Sequence, residues 1–122
     1  MSHQNLYFQF LSLCKLAHSD NLPHDISPNS QALLGIIALA EAKGHPLTVM
    51  QTMALHNLAS PATLHRRVDA LREGLLIDMV FHAGDRRTKY LIPTALAHRY
   101  FDHMGQLMQQ VFSPPPTTIT KT

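Results

Sequence analysis

The stretch SPATLHRRVDALREG, residues 60–74, decides the fold. Ser60 followed by Pro61 predicts the start of a helix, because the serine hydroxyl accepts a bond from an orphan amide and proline loses nothing at the first helical position. A buried stripe is predicted at i, i+4 and i+7 by Leu64, Val68 and Leu71. Gly74 is expected to end the helix. The stretch is therefore expected to be an amphipathic helix with one polar face.

A shorter helix is predicted just before this stretch. Thr48 can cap it, and a tight connection from Leu55 to Ala59 leads from it into the Ser60 helix. The apolar side of the short helix is assigned to Val49, Met50, Met53 and Ala54. Two helices joined by so short a connection are typical of a helix-turn-helix.

The periodicity changes after Gly74 from that of a helix to that of strands. Ile77, Met79 and Phe81 alternate with Asp78, Val80 and His82. A polar turn is predicted at residues 83–87, followed by a second strand from Thr88 to Ile92 that Pro93 closes. Because two arginines stand in this turn, the pattern predicts a β-hairpin with a basic tip.

Three further helices are predicted from apolar spacing and end signals. Their bounds are Asn5 to His18, Ser30 as cap to a Gly44 stop, and Thr94 as cap to about Phe112. Residues 21–29, which contain two prolines, are expected to connect the first two. The first of the three helices is apolar nearly all round and the last over a broad arc, so each has a face left for another subunit. This predicts a homodimer.

The predicted fold class is mainly α with a small β-hairpin wing, a winged helix-turn-helix. The predicted domains are an N-terminal dimerisation helix (1–20), a winged helix-turn-helix DNA-binding domain (29–93), a C-terminal dimerisation helix (94–112) and a disordered tail (113–122).

Length and composition narrow the class of protein. The 122 residues suit one domain of ordinary size, and one cysteine cannot form an internal disulfide. The apolar run from Ala32 to Ala40 is far shorter than the ~20 residues of a membrane span, and no signal peptide is expected at the start. A cytoplasmic protein without membrane contact is the expectation.

Catalysis is not predicted. The sequence offers no paired carboxylates, no Ser/His/Asp set with its sharp turn and no glycine loop to cradle phosphates. No catalytic, cofactor-binding or metal-binding residue is therefore assigned, and no cofactor is expected.

The positive charge is concentrated in one part of the chain. A net charge of +2 is too small for an indiscriminate polyanion binder. Seven of the ten Lys and Arg residues nevertheless lie between Ser60 and Tyr100: Arg66, Arg67, Arg72, Arg86, Arg87, Lys89 and Arg99. Only an α-helix or a two-stranded ribbon fits the major groove of DNA, so a basic helix followed by a basic hairpin favours double-stranded DNA as the partner.

At these residues the sequence resembles the MarR family of bacterial transcriptional regulators. The resemblance rests on Leu47-Thr48, Met53-Ala54, Ser60 to Arg66, Val68-Asp69, Leu71, Gly74-Leu75, the wing triplet Asp85-Arg86-Arg87, and Thr94. Departures from the family pattern are Leu58, Pro93, Ala97 and a single final helix in place of a pair.

The resemblance implies a dimeric regulator, a repressor by our interpretation, that binds a pseudo-palindromic DNA site. It implies that the second helix of the motif lies in the major groove and the wing in the minor groove, with Arg87 steadied by Asp85. The family's ligand pocket adds a small-molecule effector of unidentified chemistry as a further partner. The DNA-binding residues predicted on this basis are Ser60, Ala62, Thr63, His65, Arg66, Arg67, Asp85, Arg86, Arg87 and Lys89.

Two other functions stay open at this point. One is a winged-helix module that contacts another protein and never DNA. The other is a sensor of the same fold that responds through the Cys14 thiol or through a metal held by residues such as His98, Asp102 and His103. Apolar neighbours favour an inert Cys14. His98 and Asp102 share a helix face, but two ligands do not make a metal site.

Overall fold

The structure is a computed structural model that describes residues 3–21 and 26–112. Its elements in chain order are α1 (His3–Asn21), α2 (Pro28–Ala42), α3 (Val49–Met53), α4 (Pro61–Glu73), β1 (Ile77–His82), β2 (Asp85–Pro93) and α5 (Ala95–Phe112). The described residues form two compact units, one within residues 26–98 and the other from residues 3–21 and 99–112. The helices and the single hairpin confirm the predicted fold class. The predicted tail, 113–122, lies outside the described residues.

The start of α2 differs from the prediction. Ser27, rather than Ser30, is the cap: its Oγ accepts from the Ser30 amide at 3.1 Å, and Pro28 stands in the first turn. Ser30 is instead buried, and its Oγ accepts from Ser27 Oγ at 3.2 Å. Ser27-Pro28 is thus the same start signal as Ser60-Pro61, and it places the helix three residues earlier.

The ends of the first two helices also shorten the predicted connector. The first helix extends beyond the predicted Asn5 to His18 at both ends, to His3 and Asn21. Since Asn21 is helical, as are the last two residues of the range 21–29, that range is not a continuous connector. At the other end of α2 the glycine stop is confirmed, because Gly44 has a left-handed φ of +84°.

The core of the unit within residues 26–98 lies between α2, α4 and the hairpin. The predicted α4 stripe is confirmed, since Leu64, Val68 and Leu71 are fully buried. They pack in one core with Leu33, Leu34, Ile37, Leu76, Ile77 and Leu91. Because this stripe points inward, the opposite face of α4 is left to solvent.

The short helix α3 is capped as predicted but packs differently. Thr48 and Gln51 form a reciprocal capping box, with Thr48 Oγ1 accepting from the Gln51 amide at 3.0 Å. The prediction that Met50 and Ala54 belong to the apolar side is wrong, because both are exposed, Met50 by 84%. Thr52 is the buried residue, and its hydroxyl donates to the Thr48 carbonyl at 2.8 Å. That bond removes the penalty of burying the hydroxyl.

The hairpin has a tighter turn than predicted. Only Ala83 and Gly84 form it, and Gly84 has a left-handed φ of +82°. The register passes from Phe81 opposite Lys89 to His82 opposite Asp85, so residues 86–88 bulge from the ladder. The predicted polar turn at residues 83–87 is therefore partly strand. The alternation fails near the tip too, where Phe81 is exposed.

Contacts distant in sequence fix the open end of the hairpin, away from its turn. The Leu91 amide donates to the Leu47 carbonyl at 2.9 Å, which joins the loop before α3 to β2. Just after β2, Thr94 Oγ1 donates to the Leu75 carbonyl at 2.7 Å and accepts from the Ala97 amide, as its predicted capping role requires. The helix α4 ends at Glu73, but the left-handed residue is Leu75 (φ 61°) rather than glycine.

Candidate nucleic-acid interface

The exposed side of α4 begins with a capped helix end. Ser60 has extended backbone angles, its Oγ accepts from the Thr63 amide at 3.3 Å, and Pro61 follows in the first turn. This is the local structure that the sequence predicted, and it frees the outer face of the first two turns from any packing role. The outer face of the N-terminal half of α4 is therefore a platform that faces solvent.

A row of hydrogen bonds runs along this platform. Ser60 Oγ donates to Thr63 Oγ1 at 3.0 Å, and Arg66 Nη2 donates to the same Thr63 oxygen at 3.1 Å. Residues three apart on a helix are neighbours on its surface, which is why these side chains meet. The guanidinium of Arg66 is thus held by a hydroxyl that is itself held by the helix cap.

The other predicted residues of α4 occupy the same half of the helix. Ala62 and His65 are exposed, whereas Arg67 is half-buried. The stem of an arginine can cover apolar surface while its charged end stays in water, so Arg67 suits a dual role. All six predicted residues from Ser60 to Arg67 therefore lie on the first two turns of α4 or at its cap.

The C-terminal half of α4 has a different charge. Asp69, Arg72 and Glu73 are exposed there, and with Asp78 of β1 they line a recess of about 490 Å³. The three carboxylates and one guanidinium around this recess give it a net negative charge. The positive potential of α4 is therefore confined to its N-terminal half.

The wing carries the second group of cations. The Asp85 Oδ1 atom accepts from the Arg87 amide at 2.9 Å and lies 4.0 Å from Arg87 Nε. The carboxylate thus fixes the backbone of the bulge, while the Arg87 side chain stays 97% exposed. Arg86 and Lys89 are exposed as well. The wing presents three cations to solvent with one carboxylate at their base.

One neighbouring surface was missed by the sequence analysis. Thr48, Val49 and Met50 at the start of α3 line a recess of about 240 Å³ together with Arg87 and Lys89 of the wing, with Thr88 between these two. The exposed Met50 thus lies next to the wing cations. No local pattern predicts this, because it depends on the pairing of Thr48 with Tyr90 across more than forty residues.

The structure describes the surroundings of Cys14 and His98, two of the residues on which the sensor hypothesis depends. Burial raises the pKa of the Cys14 thiol, and burial together with the charge of Cys14 raises the pKa of the Tyr100 hydroxyl. The Nε2 atom of His98 lies 3.9 Å from Glu41 Oε1. Within residues 3–21 and 26–112, no three His, Cys, Asp or Glu side chains are grouped to hold a metal ion.

Solved structures with this arrangement of elements are known. The heme sensor protein PefR from Streptococcus agalactiae, in complex with heme, is similar with a TM-score of 0.58 and 16% identity over 97% of this chain and 78% of that one. The chain has the fold of MarR-type regulators. A MarR-like transcriptional regulator from Thermotoga maritima gives a TM-score of 0.58 at 17% identity, covering 98% of this chain and 84% of that chain.

A third MarR-type structure is similar over nearly the whole chain. It is Staphylococcus aureus MarR in complex with salicylate and kanamycin, with a TM-score of 0.56 and 23% identity over 98% of this chain and 75% of that one. No protein-family model and no curated protein sequence matches the chain. Among the described helices, none is both long enough and apolar enough to cross a bilayer.

Proposed function

We propose that the chain is a transcriptional regulator, a repressor, that binds a pseudo-palindromic site in double-stranded DNA as a homodimer. The observation that supports this most directly is the exposed face of α4, where the Arg66 guanidinium is held beside the hydroxyls of Ser60 and Thr63. Arginine held in one orientation suits the two acceptors that guanine presents in the major groove. The MarR-type fold supports the same conclusion.

The charge distribution sets the orientation on DNA. The N-terminal half of α4 enters the major groove, because Asp69 and Glu73 would be repelled by phosphates at the other end. The wing cations Arg86, Arg87 and Lys89 then face the backbone and the minor groove. The helix thus supplies sequence recognition and the wing supplies affinity.

Apolar side chains that are exposed to solvent in the single chain support the proposed dimer. Tyr7, Phe8 and Leu11 of α1 are exposed, as are Met108 and Phe112 of α5. Large apolar patches are rare on monomers, and a second copy related by a two-fold axis would bury both sets. Sedimentation at micromolar concentration should give a dimer, and a stable monomer would contradict the proposal.

The proposal includes a small-molecule effector and a cytoplasmic location, and it assigns no catalysis to the chain. Two of the similar structures hold heme or salicylate and kanamycin by their names, which makes such molecules suitable first probes. Loss of DNA binding on addition of one of them would identify an effector class.

The direct test is fluorescence anisotropy with a labelled random-sequence duplex. The chain should bind, and its affinity should fall steeply between about 50 and 200 mM salt, because neutralised phosphates release counterions. Absence of binding at the lowest salt would reject DNA as the partner. It would favour the hypothesis of a winged-helix module that assembles with another protein.

A further inference from the structure

We propose that Thr63 is a positioning residue for base recognition, which it performs through Arg66 rather than by accepting a hydrogen bond from a base. The inference rests on the proposed DNA binding and assigns to one residue the control of which base is read. Thr63 Oγ1 accepts two hydrogen bonds, one from Ser60 Oγ at 3.0 Å and one from Arg66 Nη2 at 3.1 Å.

These two bonds occupy both lone pairs of the Thr63 hydroxyl oxygen. The oxygen then has no capacity left to accept a bond from the amino group of adenine or cytosine. A direct reading of those bases by Thr63 would require the Arg66 bond to break. The acceptor side of the hydroxyl is therefore committed to Ser60 and Arg66, while its O–H group remains a donor.

The bond leaves the recognition edge of Arg66 intact. A guanidinium has five N–H donors, and only one, on Nη2, is used by Thr63. The remaining Nη1 and Nη2 donors can still meet the O6 and N7 acceptors of guanine side by side. The bond to Thr63 thus orients this pair of donors before DNA binds. Arg66 therefore loses less side-chain conformational entropy on binding.

The chain offers a matched set of variants for the test. Thr63→Val keeps the shape and removes the hydroxyl, and Thr63→Ser keeps the hydroxyl. Both preserve the helix cap, because Ser60 Oγ accepts from the backbone amide of residue 63. Circular dichroism and thermal unfolding of the full chain should therefore be nearly unchanged in both variants.

The probe is a duplex selected from a random pool by the wild-type chain, with all single base-pair changes. Arg66→Ala first identifies the base pair that depends on Arg66. Thr63→Val should lower discrimination at that base pair by about fivefold or more. The slope of log affinity against log salt should stay the same, because the substitution removes no cation. Thr63→Ser should discriminate like the wild type. The double variant Thr63→Val/Arg66→Ala should lose no more than Arg66→Ala alone.

The proposal is overturned if Thr63→Val changes the base preference at a base pair other than the one that depends on Arg66. It is also overturned if Thr63→Val changes the base preference nowhere. Loss of discrimination in Thr63→Ser would also overturn it. A measurement without DNA separates this from failure of the proposed function: NMR relaxation of the Arg66 guanidinium should show more motion in Thr63→Val than in the wild type. Equal motion contradicts the positioning role, whereas a wild type that binds no duplex contradicts the DNA-binding function.

Discussion

The two basic surfaces of the winged-helix unit hold their arginines differently. On α4, the Arg66 guanidinium is bonded to Thr63, and Thr63 is bonded to the helix cap. On the wing, Asp85 fixes the backbone amide of Arg87 but touches its side chain only at 4.0 Å, the limit for an ion pair. An oriented donor pair can distinguish bases, whereas a mobile cation suits phosphates, which are alike in every sequence. Under the proposed function, this difference supports recognition by the helix and affinity from the wing.

The largest effect is expected from Arg66→Ala. Removal of a bidentate contact to guanine should cost about 1–3 kcal/mol at one base pair of each half-site and leave other positions unchanged. Titrations of the selected duplex and its single-base variants would measure this. The control is Arg72→Ala, which removes an exposed arginine from the acidic end of the same helix and should leave the preference intact. An equal loss of base preference in both variants would contradict the assignment of recognition to the N-terminal half of α4.

The second effect is expected from Arg87→Ala. The variant should bind all duplexes more weakly by a similar factor, and the slope of log affinity against log salt should decrease by about one unit per lost phosphate contact. Lys43→Ala, which removes an exposed cation outside α4 and the wing, should leave the slope unchanged. A change of base preference without a change of slope in Arg87→Ala would show that the wing reads sequence.

A smaller effect on stability is expected from the glycine at the wing turn. Gly84→Ala puts a side chain at a left-handed φ of +82°, which should destabilise the fold by about 1–2 kcal/mol. Gly35→Ala is the matched control, because it lies within α2 with nothing near its added Cβ. It should stabilise the fold by about 1 kcal/mol through higher helix propensity. Urea unfolding with opposite signs for the two variants would agree with the structure, and equal signs would not.

The smallest effect is expected from Cys14→Ser. Since burial raises the pKa of the Cys14 thiol, the thiol stays protonated at neutral pH and reacts slowly with peroxide. DNA affinity should be the same in the wild type and the variant, with and without peroxide. A loss of binding in peroxide that disappears in Cys14→Ser would instead support the thiol-sensor hypothesis.

Much of the fold could be predicted because its signals are local. The Ser60 cap, the Thr48 capping box and the Thr94 cap each depend on residues within one turn of the chain. The buried stripe of α4 follows from spacing alone. These features position the candidate interface, so its residues on α4 could be named before the fold was known.

The features that could not be predicted depend on contacts distant in sequence. The bulge at residues 86–88 follows from the pairing of two strands, and the placement of Met50 beside the wing follows from the bond between Leu91 and Leu47. Spacing put Thr63 and Arg66 on one face and Ser60 at the cap, but side-chain rotamers decide whether they bond. The proposed role of Thr63 therefore rests on side-chain positions that the sequence does not contain.

The most direct test is selection of bound fragments from a random DNA pool by the wild-type chain, Arg66→Ala and Arg87→Ala in parallel. The wild type should enrich a site with two related half-sites, about 34 Å or a multiple apart. Arg87→Ala should enrich the same site more weakly, and Arg66→Ala should lose the preference at one position of each half-site. Identical preferences in all three pools, or no enrichment by the wild type, would contradict recognition of sequence by α4.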